Sequence, residues 1–197
     1  MNKVTVYGFE GSTYVRTVLM TCIEKEVEYQ LEGFDFGSAR HLGLHPFMKM
    51  PAANIDGNTW YETLAITSLI DDLTGTHLQP KNPTQKATML KWISSSIDDL
   101  YPVFVTPLLG DDAPSVESIN DISKVLVLLD NDIQSCDYFL SGEPITLADL
   151  FLYPMLHLTS SKVPDFGAMT ADLPGIKAWL ALMDERDCVI KTVPPMA

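Results

Sequence analysis

At 197 residues, 46% apolar and 20% charged, the chain is long enough for one substantial core or two small packed domains without disulfide support. A formal charge of -13 and a pI near 4.5 argue against nucleic acid or an anionic membrane surface as the main partner, because phosphate recognition needs clustered Lys and Arg. Cys22, Cys136 and Cys188 are widely separated and form no C-x-x-C pair, so neither a dithiol redox motif nor a metal site is expected, and an unpaired third cysteine fits a reducing compartment.

Met1-Asn2-Lys3 leads directly into a strand pattern rather than a secretory signal, and no apolar run approaches the roughly 18 residues of a membrane span. A cytoplasmic protein is the expectation. Val4 and Val6 alternate with polar neighbours as in a short strand, then Val15, Val18, Leu19, Cys22 and Ile23 recur at helical spacing. Val27, Tyr29 and Leu31 alternate against Glu28, Gln30 and Glu32, which completes a βαβ unit. After an irregular stretch, Ala53 and Ile55 fall on a third strand, Asp56-Gly57 turns it back, and Trp60-Tyr61 lie on a fourth. Ile66, Leu69, Ile70 and Leu73 form the inner face of a helix that stops at Gly75.

His77 to Pro83 carries two prolines and no periodicity, so it is the expected linker between residues 1–76 and 84–197. Every later periodic segment is helical. Leu90, Ile93, Ile97, Leu100, Tyr101 and Phe104 share one face of a long helix expected to bend near Pro102, and Ile119, Ile122, Leu126, Leu129 and Ile133 share another. Thr146-Leu147-Ala148-Asp149 reads as a capping box flanked by the staple pair Ile145 and Leu150. Pro174 opens a last helix with Trp179, Leu182 and Met183 inward, and an extended tail ends at Pro194-Pro195.

The segment from His45 to Thr63 concentrates the candidate chemistry. Pro51 at a strand entry lets Met50 present its backbone N–H and C=O to an extended ligand, and an X-Pro bond is where a cis peptide is affordable. Glu62-Thr63 falls where a strand hands over to a helix N-terminus, a place that binds carboxylates. Upstream, Ser12 stands just before the first helix, where free N–H groups and the helix dipole reinforce a hydroxyl donor. Each feature also has a plainer structural meaning: Ser12 and Thr63 as helix caps, Pro51 as a strand-entry proline, Glu62 and Lys49 as solvated charges.

In order and spacing the chain resembles the soluble glutathione S-transferase superfamily throughout, and its serine-type, phi- or beta-like members most closely. Gly11-Ser12-Thr13-Tyr14-Val15-Arg16-Thr17-Val18 is similar to the opening of their first helix. His45-Pro46-Phe47-Met48-Lys49-Met50-Pro51 resembles their N-P-F-G-K-V-P, Tyr61-Glu62-Thr63-Leu64-Ala65-Ile66 resembles their E-S/T-x-A-I, and Pro144 to Asp149 is similar to their helical-domain signature. The resemblance implies an α+β fold, a thioredoxin-like βαβ-ββα domain followed by an all-helical domain. It implies glutathione as cosubstrate, a small apolar electrophile as second substrate, a detoxification role and a homodimer, with no nucleic acid, membrane or metal partner.

By the same resemblance, Ser12 stabilises the glutathione thiolate, with Thr13 and Tyr7 as fallback hydroxyls. Met50 and Pro51 hold the cysteinyl backbone, Thr63 the γ-glutamyl carboxylate, Glu62 the ammonium end, and Lys49 a carboxylate. Phe34 to Leu44 is shorter than in serine-type members and lacks their G-E-H-K-like run, so Arg40 and His41 are the candidates to reach the glycyl carboxylate; Met48 stands where they have glycine. Phe9, Tyr101 and Phe104 are assigned to the electrophile pocket, and Arg16 to an ion pair supporting the first helix. Two other readings stay open: a non-catalytic binding or regulatory module of the same fold, and a glutathione-dependent disulfide reductase or isomerase.

Overall fold

The computed structural model of the chain describes residues 3–75, 78–110, 112–134, 140–142 and 144–195. Cys136, and the Thr76–His77 step at which the linker was expected to begin, lie outside them. Contacts divide the chain into two units, Met1–His77 together with Arg186–Ala197, and Leu78–Glu185.

The first unit contains β1 (Val4–Tyr7), α1 (Thr13–Glu24), β2 (Tyr29–Glu32), α2 (Ala39–Leu44), β3 (Ala52–Ile55), β4 (Asn58–Tyr61) and α3 (Thr63–Thr74). The sheet order is β2-β1-β3-β4, with β1 parallel to β2 and antiparallel to β3, and β3 antiparallel to β4. This is the thioredoxin-like βαβ-ββα arrangement. Val4, Val6, Ala53 and Ile55 meet Val15, Val18, Leu19 and Cys22 of α1 and Ile66 and Ile70 of α3 in one buried cluster. The strand period of two and the helix period near four put these residues on facing surfaces. Asp56 (φ 50°) and Gly57 (φ 87°) turn the β3–β4 hairpin with positive φ at both positions, the geometry for which an Asp-Gly pair is suited.

Two local expectations need correction here. The stretch read as irregular contains α2, started by Ser38, whose Oγ accepts from the His41 N–H at 3.1 Å. Leu73, expected on the inner face of α3, is 48% exposed. That face instead buries Asp71, whose Oδ1 accepts from Lys25 Nζ at 2.5 Å, both side chains being withdrawn from solvent. Lys25 closes the C-terminus of α1, so the pair ties α1 to α3 at one point. Deleting Lys25 removes the cation held against a buried carboxylate, and Lys25→Met is expected to lose about 3–5 kcal/mol in chemical unfolding. Lys25→Met with Asp71→Leu should recover most of that loss, and a double variant as unstable as the single one would contradict this account.

The second unit is all helical: α4 (Pro83–Ser95), a π-helical turn at Ser96–Leu100, α5 (Tyr101–Phe104), a 3₁₀ turn at Thr106–Leu108, α6 (Val116–Gln134), α7 (Leu147–Lys162), α8 (Phe166–Met169) and α9 (Pro174–Asp184). Within the expected linker, Leu78 is buried and its C=O accepts from Leu147 N–H at 3.1 Å, so it already belongs to this unit. Where a bend was expected near Pro102, the helix passes into the π-helical turn just ahead of it. Proline has no N–H for the Asp98 carbonyl and its ring crowds that turn, and the chain widens there, Tyr101 N–H bonding to Ser96 C=O. The capping box forms, with Thr146 N–H donating to Asp149 Oδ2 at 2.9 Å.

The tail expected to be extended instead forms α10 (Asp187–Ile190), which packs on α1 in the first unit. No helix among the described residues is long and apolar enough to cross a membrane.

Candidate functional site

Strand register brings the candidate residues to one edge of the sheet. Glu32 pairs with Tyr7, Tyr7 with Ala52, and Ala52 with Tyr61, so these four residues form a single row across the sheet. Immediately beyond that row lie the Gly8–Ser12 connection, Met50-Pro51 and Glu62-Thr63. With strands about 4.8 Å apart, segments some forty to fifty residues distant in sequence become neighbours across two adjacent strand gaps.

Ser12 caps α1 with an extended backbone (φ -77°, ψ 124°), and its Oγ accepts from Val15 N–H at a long 3.4 Å. The hydroxyl proton has no acceptor among the described residues. A serine oxygen can accept through a lone pair while its O–H donates elsewhere, so capping and ligand donation are compatible here. A Cβ at Gly8 would stand 2.4 Å from Val15 Cγ2, so the loop after β1 closes onto the first turn of α1 only with glycine. The fallback hydroxyls are less available: Thr13 is buried, and the Tyr7 ring lies 5.7 Å beneath the Arg40 guanidinium.

The Met50–Pro51 peptide is cis, and Met50 makes no backbone hydrogen bond among the described residues. Its N–H and C=O are thus an unpaired extension of β3, suited to an added strand. Glu62 precedes α3 at φ 69°, ψ 120°, a left-handed conformation that costs a non-glycine residue about 1–3 kcal/mol and concentrates at functional sites. No side chain caps α3, whose first turn holds no acidic residue. The N–H groups of Thr63 and Leu64 and the Thr63 hydroxyl find no partner among the described residues, and the first helical bond is Ile66 N–H to Glu62 C=O at 3.0 Å. Together they make an anion cradle.

The cations fare differently from expectation. Lys49 is exposed and its ammonium has no partner among the described residues. Arg40 is exposed but binds Glu32 Oε2 at 2.9 Å. His41 is buried: Gly37 N–H donates to its Nδ1 at 3.3 Å, which leaves Nε2 to donate to Lys49 C=O at 3.1 Å. With both nitrogens engaged, and its ring 4.4 Å from that of Phe34, His41 is corrected from a ligand contact to a support that holds the Lys49 backbone. Of the aromatics assigned to the electrophile, Phe9 is half exposed beside Phe36 (ring centroids 6.3 Å apart) and Tyr101 is half-buried. Phe104 is fully buried within the helical unit and its C=O accepts from Thr159 Oγ1, so it is corrected to a core residue.

Sequence reasoning quoted His45 in the motif and gave it no role. Its ring is buried, lies 4.9 Å from the Tyr61 ring, centroid to centroid, at a tilt of 47°, accepts from Phe47 N–H through Nδ1 at 3.3 Å, and places Nε2 3.9 Å from Glu62 Oε1. It links the loop before Pro51 to the strained residue that opens α3. Burial lowers its pKa, opposed by Glu62 and helped by the charge of Lys49. The unfolded chain, near 6.5, therefore takes up the proton first, and stability is lost as pH falls from above 6.5 through the lower folded value. The drop in Tm between pH 7.5 and 5.5 is expected to be smaller in His45→Asn than in the wild type; an equal drop would remove His45 from the pH response.

Comparison with known proteins points one way. A family model described as "Glutathione S-transferase, C-terminal domain" matches residues 98–187. Over 208 residues the chain is 29% identical to "Glutathione S-transferase PARB" of Nicotiana tabacum, covering 95% of this chain and 96% of that protein. It is 27% identical to "Glutathione S-transferase F13" of Arabidopsis thaliana, covering 96% and 94%. Among solved structures, poplar glutathione transferase F1 superposes with a TM-score of 0.84 at 25% identity, covering 98% of this chain and 97% of that one.

Proposed function

Because the chain is similar over nearly its whole length to glutathione S-transferases, we propose that it belongs to that superfamily and is a glutathione transferase whose cosubstrate binds at the sheet edge described above. The observation that carries the reading is the register row, which brings a free hydroxyl at a helix N-terminus, an unpaired strand-like backbone and an uncapped helix start to one place. These are the three complements that a γ-glutamyl-cysteinyl peptide requires.

Met50 N–H and C=O pair with the cysteinyl backbone, held in position by Pro51. The γ-glutamyl carboxylate sits on the Thr63 hydroxyl and the first N–H groups of α3, and Glu62 takes its ammonium group. Lys49 is the free cation for the glycyl carboxylate, and Arg40 serves it only by leaving Glu32. A free thiol near pKa 8.5 is mostly protonated at neutral pH. Ser12 O–H and the α1 N-terminus stabilise S⁻, so the thiol proton leaves to solvent and the sulfur attacks an apolar electrophile. We further propose a cytoplasmic homodimer.

Calorimetric titration of reduced glutathione at neutral pH tests the reading, with saturable binding and proton release as the expected result. A binding module of the same fold is the second reading, favoured by the engagement of Arg40 and His41 within the protein, which removes two of three candidate cations. Saturable binding without proton release would favour it, and no binding up to roughly 10 mM, beyond the weak end of the affinity scale, would overturn both.

A further inference from the structure

α1 is buried along almost its whole length: of Thr13 to Cys22 only Tyr14 is not. Val15, Val18, Leu19 and Cys22 enter the sheet core, and α10 packs on the same helix. Two polar anchors fix that second contact. Toward the C-terminal end of α1, Arg186 donates from Nε and Nη2 to the two oxygens of Glu24 at 2.8 and 2.6 Å. At the N-terminal end, the buried Arg16 donates from Nε to Thr192 Oγ1 at 3.2 Å and from Nη2 to Val189 C=O at 3.3 Å. Thr192 Oγ1 is itself set by donating to Cys188 C=O at 2.6 Å. Arg16, of which an ion pair supporting the first helix was expected, ties that helix to residues 173 and 176 positions away.

Arg16 also donates its backbone N–H to Ser12 C=O at 2.9 Å. The Val15 N–H that orients the Ser12 hydroxyl is long at 3.4 Å, so the cap alone holds that oxygen loosely. We propose that Arg16 is a positioning residue for thiol activation, through which the C-terminal segment 187–192 fixes the first turn of α1 and hence the Ser12 hydroxyl. The inference rests on the glutathione transferase reading. It makes the far end of the chain part of the thiol site without touching substrate, because a hydrogen-bond donor stabilises a developing charge only when held in place beforehand. The other charged groups on the clasp are the Glu24–Arg186 pair and the exposed Asp187–Lys191 pair at 2.7 Å.

The test compares full-length wild type, Arg16→Met, Arg16→Lys, Thr192→Val and Glu24→Gln. It follows the ultraviolet absorbance of the glutathione thiolate against pH, kcat and KM near pH 6.5, and thermal unfolding. Arg16→Met should move the thiolate titration to higher pH and lower kcat about tenfold with KM for glutathione nearly unchanged, the size of effect expected from a small misplacement. Thr192→Val should do the same to a lesser degree, and Arg16→Lys should recover part of the loss. Glu24→Gln cuts the clasp twelve residues from Ser12, about 18 Å along the helix, and should lower Tm while leaving the titration alone. If Arg16→Met does not fold, Thr192→Val decides the matter. Lowered Tm with wild-type titration and kcat in the Arg16 and Thr192 variants would overturn the inference alone. Absence of any thiolate band in the wild type would overturn the transferase reading with it.

Discussion

Ser12→Ala is expected to lower kcat/KM for conjugation near pH 6.5 by about 10²-fold or more, the usual consequence of removing one preorganised donor from a developing or resident anion. The side chain has two roles, as a weak cap accepting from Val15 N–H and as the proposed donor to sulfur. Loss of the cap costs roughly 1 kcal/mol of stability, too little to unfold a domain of ordinary stability, so activity and stability separate. The pH dependence carries the sign. With the donor gone, the bound thiol returns toward its free pKa near 8.5, so the deficit should shrink as pH rises and the thiol ionises unaided. Ser12→Thr keeps an O–H and should retain much of the activity. A deficit independent of pH, or none at all, would assign Ser12 to capping only.

Asp149→Ala is expected to be the most destabilising single substitution, by at least about 4 kcal/mol. The carboxylate is wholly buried and accepts from Leu140 N–H at 3.0 Å, Thr146 N–H at 2.9 Å, Thr146 Oγ1 at 3.1 Å and Trp179 Nε1–H at 3.0 Å. Burial pushes its pKa up, and the four donors oppose that by favouring the ionised form. Alanine leaves the buried Thr146 N–H and Trp179 Nε1–H without this acceptor, at about 1–3 kcal/mol each, besides removing the Leu140 N–H bond and the cap of α7. Asp149→Asn keeps one acceptor oxygen and should lose less. Chemical unfolding measures both, and a loss under about 1 kcal/mol for Asp149→Ala would mean that water reaches these donors.

Elements that depend on local rules were legible. Alternation at Val4 and Val6, the Asp56-Gly57 turn, the Thr146–Asp149 box and Pro174 at a helix start each follow from a few adjacent residues. Ser12 as a helix cap, Pro51 ahead of β3 and Thr63 opening α3 belong to the same class. What failed was short or interrupted. The six residues of α2 carry too little periodicity to stand out, although Ser38 signalled a start. The π turn depends on how the chain answers a proline, and α10 forms four residues against a helix 170 positions earlier.

The amino-acid order by itself determined which backbone conformations and hydroxyls were on offer: the strand-entry proline, the helix start at Glu62-Thr63 and the serine ahead of α1. Tertiary structure alone decided which polar groups remained available. Among the described residues Lys49 keeps a free ammonium while Arg40 turns to Glu32, His41 is enclosed between Gly37 and Lys49, Phe104 goes to a core, and Arg16 reaches across to Thr192. The physical reason is that local propensity depends on neighbours within about a turn, whereas engagement of a charge or a ring depends on desolvation and partners that only long-range packing supplies.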